Sequence, residues 1–323
     1  MTEAVENFLK DAGWDRAQRS AIAGDLSTRQ YLRLKRTDQT AILLQCDPAI
    51  DASLPAFLRT TQWIRSNNLS APEIYAADQD SGLALLEDFG DAKLTHLIRA
   101  DPACQRPHYE TILETLIRLR QAEPMDVARP TAVDFCEATK LADDWYPGAA
   151  SGELNAFRAG LVTILGDVLT ATPTTSLRDF HADNIIWLPK RTRPKRAGLL
   201  DYQDAILTHP AYDLMSLLTD ARTDVSPSLR DDTLHAYARQ TGDGIESLKT
   251  AVSVLGAQRS LRILGIFARG ARRDGKTQHL PALPRVYAYL MDSARHPMLA
   301  PFADALRAGL PAPDTALING LAK

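Results

Sequence analysis

Two acidic stretches in the middle of the chain carry the residue types best suited to chemistry. They are Leu177-Arg178-Asp179-Phe180-His181-Ala182-Asp183-Asn184 and Leu199-Leu200-Asp201-Tyr202-Gln203-Asp204. Carboxylate and amide oxygens are hard donors that suit magnesium, and an acid beside an alcohol can take or orient its proton. Phosphoryl transfer asks for that set and little more, because its catalysis is mostly positioning and charge neutralisation. On this reading Asp179 is the candidate base, and Asn184 and Asp201 are candidate ligands for Mg2+ bridging the phosphates of ATP. The structural alternative makes Asp179 and Asn184 turn-capping side chains. His181 and Asp204 flank these groups and either meet a substrate hydroxyl or cap neighbouring backbone.

The elements that would position these residues differ on the two sides of Gly90. Before it, Glu3 to Trp14 has helical spacing that stops at Gly13. Tyr31–Lys35 and Thr40–Gln45 form a hairpin around Thr37-Asp38-Gln39. Leu54 to Asn67 is an amphipathic helix with Ser53 as its cap, and Glu73–Ala77 and Leu83–Glu87 are strands. After Gly90, helical periodicity dominates at 93–99, 109–121, 133–143 and 153–170. It is broken by a short extended pair, 185–188 and 197–200, that brackets the acidic stretches. The basic run Pro189 to Arg196 joins that pair and is expected to be a solvated hairpin tip. The predicted fold class is α+β in two lobes, a small antiparallel β lobe at residues 1–89 and a larger, mostly helical lobe at 90–323.

Composition narrows the partners. A chain of 323 residues with 45% hydrophobic content buries a full core, and a net charge of -3 gives no general attraction to nucleic acid or anionic lipid. Three scattered cysteines argue against a disulfide framework, and no apolar run is read as spanning a membrane. The expectation is a cytoplasmic monomer acting on a small molecule. Arg259, Arg262, Arg269 and Arg273 fall within an arc of roughly 80° on one helix, and Arg259 and Arg262 are candidate contacts to a carboxylate or a sugar hydroxyl.

Taken together, Asp179-Phe-His-Ala-Asp-Asn184, Leu200-Asp201-Tyr-Gln-Asp204 and Pro210-Ala-Tyr-Asp213-Leu resemble the catalytic-loop, metal-loop and following-helix signatures of the aminoglycoside phosphotransferase and choline kinase family. Gly24-Asp25 with Ser27-Thr28-Arg29, and Leu85-Leu-Glu87-Asp-Phe89-Gly90, extend the likeness over most of the chain. The resemblance implies a protein-kinase-like fold and ATP with magnesium as cofactors. It places Ser27, Thr28 and Arg29 at the nucleotide phosphates, and the backbone of Glu87 and Phe89 at adenine. Asp213 then holds the catalytic loop. Within the family, the late segment Gln258-Arg259 to Arg269 is similar to that of bacterial cell-wall-recycling kinases acting on the anomeric hydroxyl of N-acetylmuramate and N-acetylglucosamine.

The chain departs from the wider kinase pattern in two ways. It has no glycine-rich Gly-x-Gly-x-x-Gly loop, and the strand Ala41–Gln45 lacks the lysine that pairs with phosphates, leaving Arg29 or Arg33 as stand-ins. Three alternatives stay open. One is a kinase of the same fold for another alcohol or an aminoglycoside. Another is a nucleotide-binding pseudokinase. The third is a hydrolase holding a transition metal through His181 and the nearby aspartates.

Overall fold

A computed structural model describes residues 3–22 and 29–323; Ser27 and Thr28 therefore lie outside the described residues. The first part of the chain contains α1 (Glu3–Asp11), β1 (Gln18–Ile22), β2 (Gln30–Arg36), β3 (Gln39–Gln45), α2 (Leu54–Ser66), β4 (Ile74–Asp78) and β5 (Leu83–Glu87). The strands form one antiparallel sheet in the order β1-β2-β3-β5-β4. The β2–β3 hairpin pairs Arg36 with Gln39, and the turn places Thr37 at φ 43°. Helix α1 ends at Gly13, whose φ of 72° is left-handed and costs glycine nothing. Val5 and Leu9 of α1 share a small core with Leu34, Leu43 and Leu85, while Phe57, Leu58 and Ile64 of α2 belong to a separate core with Leu44 and Leu86.

Strand β1 carries no period-two signal, since Gln18, Ser20 and Ala21 of this edge strand all face solvent. Ser53 departs from its expected role. Its side chain makes no bond to the start of α2, because its hydroxyl is engaged by Asp51 and Arg29 instead.

The rest of the chain is mostly helical: α3 (Leu94–Ala100), α4 (Gln105–Gln121), α5 (Ala132–Glu137), α6 (Leu141–Trp145), α7 (Ser151–Val168), α8 (Tyr212–Leu218), α9 (Pro227–Thr241), α10 (Ile245–Asp274), α11 (Leu283–Ser293), α12 (Ala303–Gly309) and α13 (Thr315–Leu321). Two small ladders interrupt it: β6 (Thr174–Ser176) with β9 (Ile206–Thr208), and β7 (Ile185–Trp187) with β8 (Ala197–Leu199). The helix expected over 133–143 is split into α5 and α6 by a 3-10 turn at Ala138–Lys140. There the Thr139 hydroxyl donates to the Cys136 carbonyl and accepts from the buried Arg158, which also pairs with Asp143.

Helix α10, with 30 residues, runs through the helical core and is long and apolar enough by composition to cross a bilayer, contrary to the sequence expectation; most of it is buried in the fold. Gly265 lets it approach the start of α6, where a Cβ would lie 2.4 Å from the Leu141 carbonyl carbon. Leu44 and Leu86 of the sheet, Leu177 and Phe180 of the acidic stretch and Leu214 of α8 share one continuous core. The loops that carry the chemistry are thus seated on the same packing that fixes the sheet.

Candidate active site

The stretch from Leu177 to Asn184 links β6 to β7, and buried carboxylates hold it from behind. Asp213, in the first turn of α8, accepts from the Ser176 hydroxyl at 2.6 Å, the Leu177 amide at 2.8 Å and the Arg178 amide at 3.0 Å. These bonds hold Arg178 at φ 67°, a left-handed conformation that costs a non-glycine residue of order 1 kcal/mol. Burial pushes the Asp213 carboxyl up to about 6, with the three donors pulling the other way. The fully buried Asp220 accepts from the amides of Ala182 and Arg222 at 3.0 and 2.8 Å. Asp213 was expected in this supporting role; Asp220 was not, since it sits in no motif.

On the open side of the loop, the Asp179 side chain is 41% exposed, and its Oδ1 lies 3.6 Å from the guanidinium of the buried Arg259. Asn184 donates its amide N–H groups to the Asp179 carbonyl at 2.9 Å and to Asp201 Oδ2 at 3.4 Å, which leaves its amide oxygen without a donor among the described residues. Asp201 follows β8 at φ 58° and accepts from Gln203 Nε2 at 2.9 Å. Surrounding protein raises its carboxyl above the usual range, reinforced by the charges of Asp179 and Asp204. An amide oxygen and a carboxylate converging beside a second carboxylate form the hard donor set that magnesium takes. Among the described residues, no three His, Cys, Asp or Glu side chains gather as a metal site, so the transition-metal hydrolase lacks its ligands.

The left-handed Asp201 turns the following residue inward. Tyr202 is fully buried, stacks on Phe57 of α2 at 5.3 Å and an interplanar angle of 6°, and its hydroxyl lies 2.7 Å from Thr61 Oγ1. The same turn aims Gln203 into the cleft and leaves Asp204 exposed, outside the cleft walls and without a hydrogen bond. Asp204 thus stands outside the cleft lining, near enough for its charge to be felt at Asp201, and Gln203 rather than Asp204 lines the cleft.

These residues line a cleft of about 510 Å³ between the sheet and the helices. Ile22, Ile42, Leu86, Ile186 and Leu200 give it apolar walls at the hinge side. At the hinge, the Glu87 amide is spent on the Glu73 carbonyl at 2.8 Å, whereas the Phe89 amide makes no hydrogen bond among the described residues. The basic run 189–196 is not a free tip. Arg191 donates to Ser70 Oγ at 2.8 Å, pairs with Glu87 and lies over the Phe89 ring at 5.0 Å, and Gly198 leaves room for that ring. Arg33 lines the cleft and bonds Asp88 and Asp91 across the lobe junction. Arg29 is 6% exposed and faces Asp51 at 3.0 Å and Gln203 Oε1 at 3.0 Å.

At the other end, Arg222, Arg259 and Arg262 line the cleft together with His181. Arg222 lies 3.1 Å from His181 Nε2, and because a guanidinium can only donate, that nitrogen is the acceptor of a neutral imidazole. Arg262 makes no hydrogen bond or ion pair within the described residues, and its burial lowers its pKa. Asp183 pairs with Lys93 at 3.1 Å. Arg222 and Lys93 were not singled out from the sequence, where each stands alone, and Gln203 was given no role within the second acidic stretch; the fold brings all three to the cleft.

A model of the phosphotransferase enzyme family matches residues 18–249 of this chain. The N-acetylmuramate/N-acetylglucosamine kinase of Caulobacter vibrioides is 35% identical over 91% of this chain and 92% of its own. Among solved structures, a putative aminoglycoside phosphotransferase from Ralstonia eutropha superposes with a TM-score of 0.65 at 15% identity, covering 94% of this chain and 98% of its own. An ADP-bound aminoglycoside phosphotransferase gives 0.64 at 13% identity, covering 92% of this chain and 99% of its own.

Proposed function

Given that the chain belongs to the phosphotransferase enzyme family, we propose that it is an ATP-dependent kinase of N-acetylmuramate and N-acetylglucosamine, acting at the anomeric hydroxyl in peptidoglycan recycling in the cytoplasm. The observation that carries this reading is the convergence of Asp179, Asn184 and Asp201 in one cleft, with an arginine-lined end for the acceptor. Residues 1–89 then serve as the nucleotide lobe and 90–323 as the catalytic and acceptor lobe.

Asp179 takes or orients the proton of the attacking hydroxyl, and Arg259 beside it fixes its carboxylate and faces the acceptor. Asn184 and Asp201 hold magnesium, which when bound neutralises charge on the transferring phosphates. Adenine lies against the apolar walls, with the free Phe89 amide and the Glu87 carbonyl at its edge. Ser27, Thr28 and Arg29 attend the phosphates. His181, Arg259 and Arg262 contact the sugar, and Arg262, with no internal carboxylate to satisfy it, suits the lactyl carboxylate of N-acetylmuramate. A polycationic aminoglycoside would meet three arginines there, which disfavours that acceptor.

The test is an ADP-release assay over amino sugars with ATP and magnesium, followed by a phosphorus–proton correlation spectrum of the product. Phosphate on carbon one is expected. ATP binding without turnover of any sugar would overturn the assignment and favour a pseudokinase.

A further inference from the structure

The strand that in kinases supplies a lysine to the nucleotide phosphates supplies none here: β3 reads Gln39-Thr-Ala-Ile-Leu-Leu-Gln45. Its neighbour Arg33 is committed to Asp88 and Asp91 at the hinge. The cation inside the phosphate end of the cleft comes instead from the start of β2. Arg29 is buried, pairs through Nε with Asp51 at 3.0 Å, and donates through its other nitrogens to Ser53 and, at 3.0 Å, to Gln203 Oε1. Gln203 passes the contact on, donating through Nε2 to Asp201 Oδ1 at 2.9 Å. Asp51 lies just before α2, receives two further hydrogen bonds from Ser53, and stays below the ordinary carboxylate range despite burial, so it remains a charged partner.

We infer that the Arg29–Asp51 pair replaces the missing strand lysine and its acidic partner as the phosphate-contacting cation. Gln203 is the positioning residue that couples this pair to the metal aspartate. This rests on the kinase reading above and deepens it. A guanidinium has five N–H groups in a fixed fork; Asp51, Ser53, Gln203 and Tyr31 hold that fork in the cleft wall, where its charge and direction face the phosphates. The ordinary strand lysine is a point charge, whereas this fork gives direction as well as charge. Gln203 turns its amide oxygen to the arginine and its nitrogen to Asp201, so one side chain orients a group from the sheet side and one from the helical side. Any tilt of the amide that loosens one bond loosens both.

The experiment is nucleotide binding by titration calorimetry, without sugar, on the full chain. For Arg29→Ala, ATP affinity should fall about 10- to 100-fold while adenosine affinity stays unchanged, the size expected for losing charge-assisted bonds to phosphate. For Gln203→Ala, ATP affinity in chelator should fall less than for Arg29→Ala, about threefold, because one support of the fork is gone, while the gain on adding magnesium shrinks about tenfold. Asp51→Asn should give an intermediate loss for ATP alone, and a double variant with Arg29→Ala should be no worse than Arg29→Ala, since the two act as one unit. If Arg29→Ala does not fold, Arg29→Lys keeps the charge without the fork and should show the same split between ATP and adenosine in weaker form. Variants that bind ATP within twofold of the unmodified chain, with and without magnesium, would overturn the inference, as would an equal loss of ATP and adenosine affinity. An unmodified chain that binds no ATP would instead sink the kinase reading itself, so the two failures are distinguishable.

Discussion

Tyr202 offers the sharpest test of how the metal loop is held. It is fully buried between the sheet-side helix α2 and the helical part of the chain, stacked on Phe57, with its hydroxyl on Thr61. Thr61 donates its own proton to the Phe57 carbonyl at 2.7 Å, so the tyrosine is the donor in the pair. Tyr202→Phe therefore removes one neutral hydrogen bond and strands only a lone pair, and should cost about 1 kcal/mol. Tyr202→Ala removes the ring, and aromatic-to-alanine changes in cores cost about 3–5 kcal/mol, part of it the stacking itself. The functional effect should not track this ledger. The ring anchors the loop on one side of Asp201, while the Leu200 amide, bonded to the Asn184 carbonyl at 3.0 Å, anchors it on the other; together they hold the φ of 58°. With the ring gone, Asp201 shifts, and a displacement of about 1 Å at a reacting group costs on the order of 100-fold. Urea unfolding gives the stability of each variant, and steady-state turnover with ATP, magnesium and N-acetylglucosamine gives the rate. The expected pattern is a Phe variant within about threefold in kcat and an Ala variant about 100-fold down while still folded. A folded Ala variant with full turnover would show that Tyr202 only fills space.

Asp179→Asn should abolish turnover yet keep nucleotide affinity, while Asp201→Asn should keep ATP affinity in chelator and lose the gain from magnesium; calorimetry separates the two. Asp213→Asn offers one acceptor oxygen to three donors, so one buried N–H loses its partner. A loss of about 1–3 kcal/mol in urea unfolding is expected, with faster amide exchange at Arg178. Gly265→Ala would set a Cβ 2.4–2.5 Å from the backbone of Leu141 and Ala142, forcing α6 away from α10, and calorimetric melting should report about 1–3 kcal/mol of destabilisation.

Where a segment's partners are close in sequence, the chain could be read directly. The β2–β3 hairpin, α2, β4 and β5 follow from alternation, helical spacing and turn residues, and the acidic pair announced itself by residue type. Reading failed where long-range partners decide. Strand β1 is polar because it is an edge, and β6 pairs with β9 across about thirty intervening residues at three residues each, too short for a periodic signal. The helix over 133–143 was broken by Arg158 recruiting Thr139 from another element. Ser53 has the right type and position for a cap, but Asp51 and Arg29 compete for its hydroxyl. Gln203 rather than Asp204 lines the cleft, two residues after the left-handed Asp201, and which side chain faces inward after such a turn is a fact that no residue-type rule contains.

The grip of Arg191 on Glu87, Ser70 and Phe89 has a mechanical consequence. The loop between β7 and β8 belongs to the helical half, yet it clasps the end of β5 and the residue that leads away from it. Any swing of the sheet relative to the helices would pivot at this corner, so the strands farthest from β5 in the sheet would travel most. Because the clasp is about a quarter exposed, dissolved salt screens it, and the stiffness of that corner depends on the ionic strength around it.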